Sequence, residues 1–236
     1  MGKSQGLLRP LPIPDAPWES VSMDFITQLP VTASGHDAIC VFVDRLTKMV
    51  RMAPTTSHVD AVGTARLFLD HVFRHHGMCT TLVTDRGTQF TSRFFRTLMT
   101  ELDCQQALST AHHPQTDGQT ERMNRILEDT LRHYVGPQQD QWDIHLPLVE
   151  FAIKNSKQGS TRYTPFYLNY GRHPVTPTTL GLSTDSTHRE VRDSIRRAQQ
   201  EDHPGEMPAV TALVNEIDTI LNRTRQHLQA AQNRQK

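Results

Sequence analysis

Lysine is scarce in this 236-residue chain, with five against twenty arginines. Basic and acidic residues number 25 each, so no net charge is available to coat a polyanion. Nucleic acid is not thereby excluded, because charge can be segregated or supplied by metal ions. Arginine's planar fork of donors suits phosphate, and the skew points that way. Cysteine is scarcer still. Cys40, Cys79 and Cys104 lie in apolar runs with no CxxC anywhere, which reads as reduced core residues of an intracellular protein. No apolar run approaches the roughly 18 residues of a membrane span. Residues 1 to 17 are Pro-rich without the apolar stretch of a signal peptide, so a soluble intracellular chain with no membrane partner is expected. Internal repeats are absent.

What is present is alternation. "SVSMDFI" (20–26), "AICVFVDR" (38–45) and "KMVRMAP" (48–54) read as three strands joined by short connections, an antiparallel meander. From Asp60 to His76 apolar residues recur at helical spacing, with Val62, Ala65, Leu69, Val72 and Phe73 on the expected inner face and a stop at Gly77. "TTLVTD" (80–85) and "CQQALST" (104–110) read as strands. "SRFFRTLMTEL" (92–102), the segment after residue 120, and "DQWDIHLPLVEFAIKNS" (140–156) read as helices. Strands first, then strand and helix in turn, predict a mixed α/β domain with helices on a central sheet. The expected division is a Pro-rich linker over 1–17, a core over 18–175 and a helical C-terminal extension over 176–236. Charged helices are expected at 188–202 and 209–235 in that extension.

Three carboxylates occupy costly positions. Asp24 interrupts the first strand between Met23 and Phe25, Asp85 ends "TLVTD", and Glu121 opens a long helix 36 positions later. Aspartate is a poor strand former, and a half-buried charge needs a partner. Converging at one end of a sheet, the three would offer hard oxygen ligands to Mg²⁺, which takes few carboxylates and completes its shell with water and phosphate. Two such ions clamp an in-line attack on a phosphodiester. The helix admits two readings. Met123, Ile126, Leu127, Thr130, Leu131 and Tyr134 form the expected buried stripe. Opposite them, Glu121, Arg125, Glu128 and Arg132 are either a solvated face of i,i+4 ion pairs or, at Glu121, a metal ligand with Arg125 facing phosphate.

The blocks "PWESVSMDFITQLP", "VFVDRLTKM", "VTDRGTQFTSRFFRTL", "STAHHPQTDGQTERMNRILE", "WDIHLPLVEFAIKNS" and "TPFYLNYGRHP" occur in one order. Together they resemble the integrase core of gypsy-type LTR retrotransposons and, more distantly, retroviral integrases. The 35 residues between Asp85 and Glu121 match that family's D,D(35)E signature. The resemblance implies a ribonuclease H-like fold, a mixed five-stranded sheet flanked by helices. It implies Asp24, Asp85 and Glu121 as catalytic ligands of two Mg²⁺ or Mn²⁺ ions. The implied activity is nicking of retroelement DNA ends and joining of their 3′-OH to target DNA in the nucleus by a dimer or tetramer. "AHHPQTDGQ" resembles the family's active-site loop, with Gly118 supplying freedom and Pro114 limiting it. His113, Gln115, Asn124 and Arg125 become candidate DNA contacts.

Two departures qualify the resemblance. The family's upstream zinc module, with paired histidines and a CxxC, has no counterpart here. His71 and His75 form HxxxH without nearby cysteines, so no zinc is expected. The chain also stops where a further DNA- or chromatin-binding module would follow, which reads as a core plus linkers. A catalytically silent, domesticated or truncated DNA-binding or assembly module is the competing reading. A ribonuclease H would call for a fourth carboxylate, for which Asp44 is the one at hand. Its expected role is instead a local pair with Arg45 or Lys48. DNA binding is expected to be weak, salt-sensitive and metal-dependent.

Overall fold

The computed structural model describes residues 12–108, 114–135, 139–176, 219, 223–231 and 233; within 114–122 it describes the backbone alone. The three predicted N-terminal strands are β1 (Ser20–Ile26), β2 (Ala38–Asp44) and β3 (Val50–Thr55), paired antiparallel as a meander. β4 (Thr81–Thr84) and β5 (Gln105–Leu108) then add in parallel, so the five-stranded order is β3-β2-β1-β4-β5. β2 is buried along its whole length, as its unbroken apolar run requires in the middle of a covered sheet.

Helices cover both faces. Between β3 and β4 run α1 (Ala61–Phe68), a π-helical turn (Leu69–Phe73) and α2 (Arg74–His76). α3 (Thr88–Thr91) and α4 (Arg93–Glu101) follow β4. Phe68, Val72, Phe90, Phe95 and Met99 pack with Met23, Cys40 and Leu82 on one face of the sheet. On the other face, α5 (Pro114–Val135) and α6 (Trp142–Asn155) bury Met123, Leu127, Leu131, Trp142, Val149 and Ile153 against Val41, Val43 and Val50. A short α7 (Pro165–Tyr170) closes the core, capped by the Thr164 side chain and ended by Gly171 at φ 65°.

The inner face of α1 departs from expectation. Val62 and Phe73 are 41% and 45% exposed, while Thr64, Ala65, Phe68 and Val72 turn inward. The π turn widens the helix over 69–73, which breaks the 3.6-residue period there and carries Phe73 off the expected face, while Val62 stands in the first turn of α1. Tyr134, expected in the buried stripe of α5, is likewise 45% exposed, because it stands beyond Leu131 at the helix's outer end. The helix expected over 188–202 and most of that over 209–235 lie outside the described residues. Residues 223–231 are helical and return to the core, with Leu228 buried, Arg225 donating to the Asp15 carbonyl and His227 Nδ1 3.1 Å from Thr161 O.

β3 is an edge strand, and its outward N–H at Met52 is taken by Glu150 Oε2 of α6 at 2.8 Å. Lys154 and Arg51 flank that carboxylate. Beside them the His76 ring lies flat on Trp18, with centroids 3.7 Å apart, and Arg51 Nε donates to its Nε2 at 3.4 Å. Burial, then the Arg51 charge, pull His76 down to about 4, and His71 and His75 are lowered in the same sense, by burial first. The unfolded chain therefore binds these protons first. Stability is full above about pH 6.5, where free histidine loses its charge, and declines as pH falls toward 4. Urea unfolding across that window should give a shallower slope for His76→Gln than for the native chain. Equal slopes would remove His76 from this account.

Candidate active site

Asp24 and Asp85 come together because of strand pairing. In the parallel β1–β4 ladder Met23 is opposite Thr84, so the next residues, Asp24 inside β1 and Asp85 just past the end of β4, follow side by side on adjacent strands, which are about 4.8 Å apart. Alternation then sets both on the face opposite Met23, the face that α5 covers. Asp85 is exposed, and its Oδ1 accepts from Gly87 N at 2.9 Å in a turn that leads into α3. Asp24 is half-buried, and its Oδ1 accepts from Phe25 N at 2.8 Å. Its charge reaches Cys40 on β2, whose thiol is pushed up by burial first and by Asp24 second.

α5 reaches this point through Asn124. Asn124 Nδ2 donates to Asp24 Oδ2 at 2.8 Å. Glu121 stands three residues earlier on the same helix, a little under one turn and about 4.5 Å along its axis. The structure thus gathers Asp24, Asp85 and the Glu121 backbone at one end of the sheet. Asp44 is elsewhere: it pairs with Val21, three rungs from the Asp24–Val41 pair and at the other end of β1, so it cannot serve as a fourth carboxylate of this site. Nor is its bonding the expected local pair. Its oxygens accept from Trp18 N, Leu46 N, Thr47 N and the Thr47 hydroxyl, while Arg45 and Lys48 feel its charge.

Other expected positions fall as follows. Pro114 and Gly118, read as loop residues, are in the first turns of α5, which starts at Pro114; proline is favoured at that first helical position. Gln115 is also in α5, and His113 lies outside the described residues. Arg125 is exposed on the helix, and Glu128 pairs with Arg132 at 3.5 Å, as the solvated-face reading held for that pair. His71 stacks on Phe42 and His75 is exposed. Sequence reasoning missed Arg86, Arg93 and Arg96, all exposed on the segment that leaves Asp85. The signal was available: residues 86 to 100 hold three arginines and no acid.

The donor set suits a hard divalent cation. It is oxygen-only, and two carboxylates side by side on adjacent strands are the hard ligands that such a cation takes. Asn124 Oδ1 is buried with no partner among the described residues, an acceptor left over beside Asp24 that ordered solvent around a cation would satisfy. Asp24 and Asp85 would be ligands, with Glu121 placed by its helix to join them.

Known proteins resemble this chain in sequence and in fold. Residues 14–114 match the family described as Integrase core domain. The Tf2-3 and Tf2-4 transposon polyproteins of Schizosaccharomyces pombe are each 35% identical over 195 residues, 82% of this chain. The chain spans only 15% of those polyproteins. Among solved structures, a simian T-cell lymphotropic virus intasome in complex with the PP2A regulatory subunit B56 gamma aligns with a TM-score of 0.59 at 20% identity, over 74% of this chain and 63% of that one. The catalytic core of BIV integrase aligns at 0.51 and 21%, over 64% and 93%. The HTLV-2 integrase catalytic core in complex with magnesium aligns at 0.50 and 18%, over 68% and 97%. The five-stranded sheet flanked by helices is the ribonuclease H-like fold of those cores. Residues 14–114 thus match the integrase core domain, and the chain is similar over 195 residues to transposon polyproteins.

Proposed function

We propose that this chain is the catalytic core of a polynucleotidyl transferase that nicks retroelement DNA ends and joins their 3′-OH to target DNA. The observation that carries this reading is the placement of Asp24 and Asp85 side by side toward the carboxyl ends of two parallel strands, with Glu121 about one helical turn from the residue bonded to Asp24. Two Mg²⁺ or Mn²⁺ ions held by Asp24, Asp85 and Glu121 would activate the attacking oxygen and stabilise the leaving one. The HTLV-2 core complexed with magnesium supports that choice of cation.

The chain's own groups do the rest. Asn124 fixes the Asp24 carboxylate, as the bond between them indicates. Arg86, Arg93 and Arg96 on one side of Asp85 and Arg125 on α5 offer charge-assisted bonds to the phosphodiester backbone. His113 and Gln115 stand between β5 and Glu121 in the chain and complete the proposed DNA contacts. Assembly is proposed as a dimer or tetramer acting in the nucleus. Ile144, Leu148 and Phe151, at i, i+4 and i+7 on α6, are 70%, 56% and 41% exposed and form an apolar stripe suited to a second copy.

The test is a reversal of strand joining on a branched DNA that mimics the integration product, because that reaction asks least of end-positioning modules. The chain and Glu121→Gln are compared in Mn²⁺, Mg²⁺ and EDTA. Turnover is expected with metal only, and the substitution should lower it by at least about 10³-fold. Turnover in EDTA, or full activity of Glu121→Gln, would overturn the assignment.

A further inference from the structure

Away from the carboxylates, two of the three cysteines meet. Cys79 Sγ and Cys104 Sγ are 3.6 Å apart, both buried, at 1% and 5% exposure. Neither lies in a strand. Cys79 stands two residues before β4 and Cys104 one residue before β5. The two segments are already joined beside them, where Gln105 N donates to Thr80 O at 2.8 Å and Thr81 pairs with Gln105. Cys40, the third cysteine, is fully buried on β2. The pair therefore holds two nucleophilic sulfurs in mutual contact at the point where the strand bearing Asp85 and the strand leading to α5 enter the sheet.

We propose that Cys79 and Cys104 are a reversible disulfide site, closed by a hydroperoxide and reopened by a dithiol. The contact is polarised for that chemistry. The hydrogen bond between the sulfurs lowers the Cys104 thiol and raises that of Cys79, which makes Cys104 the more readily ionised of the two. Cys104 Sγ attacks the peroxide, forming an S–O bond as O–O breaks. The hydroxide or alkoxide released takes a proton. Cys79 Sγ, losing its proton to the departing hydroxide, then attacks Cys104 Sγ. The S–S bond forms, S–O breaks, and water leaves. Two thiols and one hydroperoxide thus give one disulfide and two neutral hydroxylic products. The closed bridge would span α3 and α4 and fasten β4 to β5 at the end of the sheet remote from Asp24 and Asp85.

The test uses the full chain, reduced and then exposed to hydrogen peroxide at graded excess, with free thiols blocked before digestion. The expected result is loss of two hydrogens from the intact mass, a cross-linked peptide pair containing Cys79 and Cys104, an unmodified Cys40, and full reversal by dithiothreitol. Cys40→Ala should cross-link as the native chain does, which keeps the result independent of how Cys79 or Cys104 variants fold. Oxygen addition at Cys79 or Cys104 without cross-linking, a bridge involving Cys40, or thiols that persist under denaturing titration after peroxide would each overturn the proposal.

Discussion

Asp24→Asn and Asp85→Asn should each weaken divalent-cation binding by at least about 100-fold, because each removes one of the two described carboxylates on adjacent strands. The measurement is titration of the folded chain with Mn²⁺ or Mg²⁺, followed by heat or by thermal midpoint. Only the native protein should be stabilised as metal rises. A control lies in the metal-free state. Unfolding of each variant without metal, compared with the native chain, separates loss of a ligand from loss of the fold. Asn124→Ala should act at one remove, lowering affinity by roughly tenfold, since it frees Asp24 from its amide without removing a ligand. Native-strength metal binding by either Asn variant would break the assignment of the aspartates as ligands.

The largest effect on folding is expected from Asp44→Ala. The side chain is fully buried, and it ties Trp18, on the entry segment, to the Leu46–Thr47 turn. Thr47 in turn accepts from Asn169 of α7 at 2.6 Å, and Trp18 Nε1 donates to Asn169 Oδ1 at 2.7 Å. One carboxylate thus anchors a network that joins the two ends of the core. Truncation would strand buried N–H donors and leave Lys48 and Arg45 without their nearby anion. Burial already pulls Lys48 down to about 7. A loss of roughly 3–5 kcal/mol is expected in urea unfolding, enough to threaten folding altogether. Asp44→Asn keeps part of the acceptor set and should cost less. Burial raises the Asp44 carboxyl against four hydrogen bonds that lower it. Its contribution is therefore fullest below the ordinary carboxylate range and shrinks as pH rises through the raised value. An Asp44→Ala chain with native stability would refute the network's role.

Much of this was legible in the residues. The alternation of "SVSMDFI" and the unbroken run "AICVFVD" gave β1 and β2 within a residue, since sheet faces impose their period directly on the chain. Asp24 and Asp85 were conspicuous because aspartate is out of place in such strands. What escaped was of two kinds. α7 is six residues long, too short for a period to declare itself, although Thr164, Pro165 and Gly171 mark its ends. The π turn over 69–73 breaks the helical period from within, and the bonds from Trp18 and Asn169 to the Asp44 turn depend on partners distant in sequence. No local window contains both ends of those bonds.

The acid on α6 that takes the Met52 amide has a consequence for how copies of this domain meet. An open strand flank invites any extended segment to add itself, and repetition of that event grows a fibre. With Glu150 seated there and two cations held around it, an incoming strand would have to expel an ion cluster before making its first bond. Self-association is thereby steered from main-chain pairing toward side-chain surfaces. Such contacts can close into a finite particle of fixed symmetry and do not run on without end.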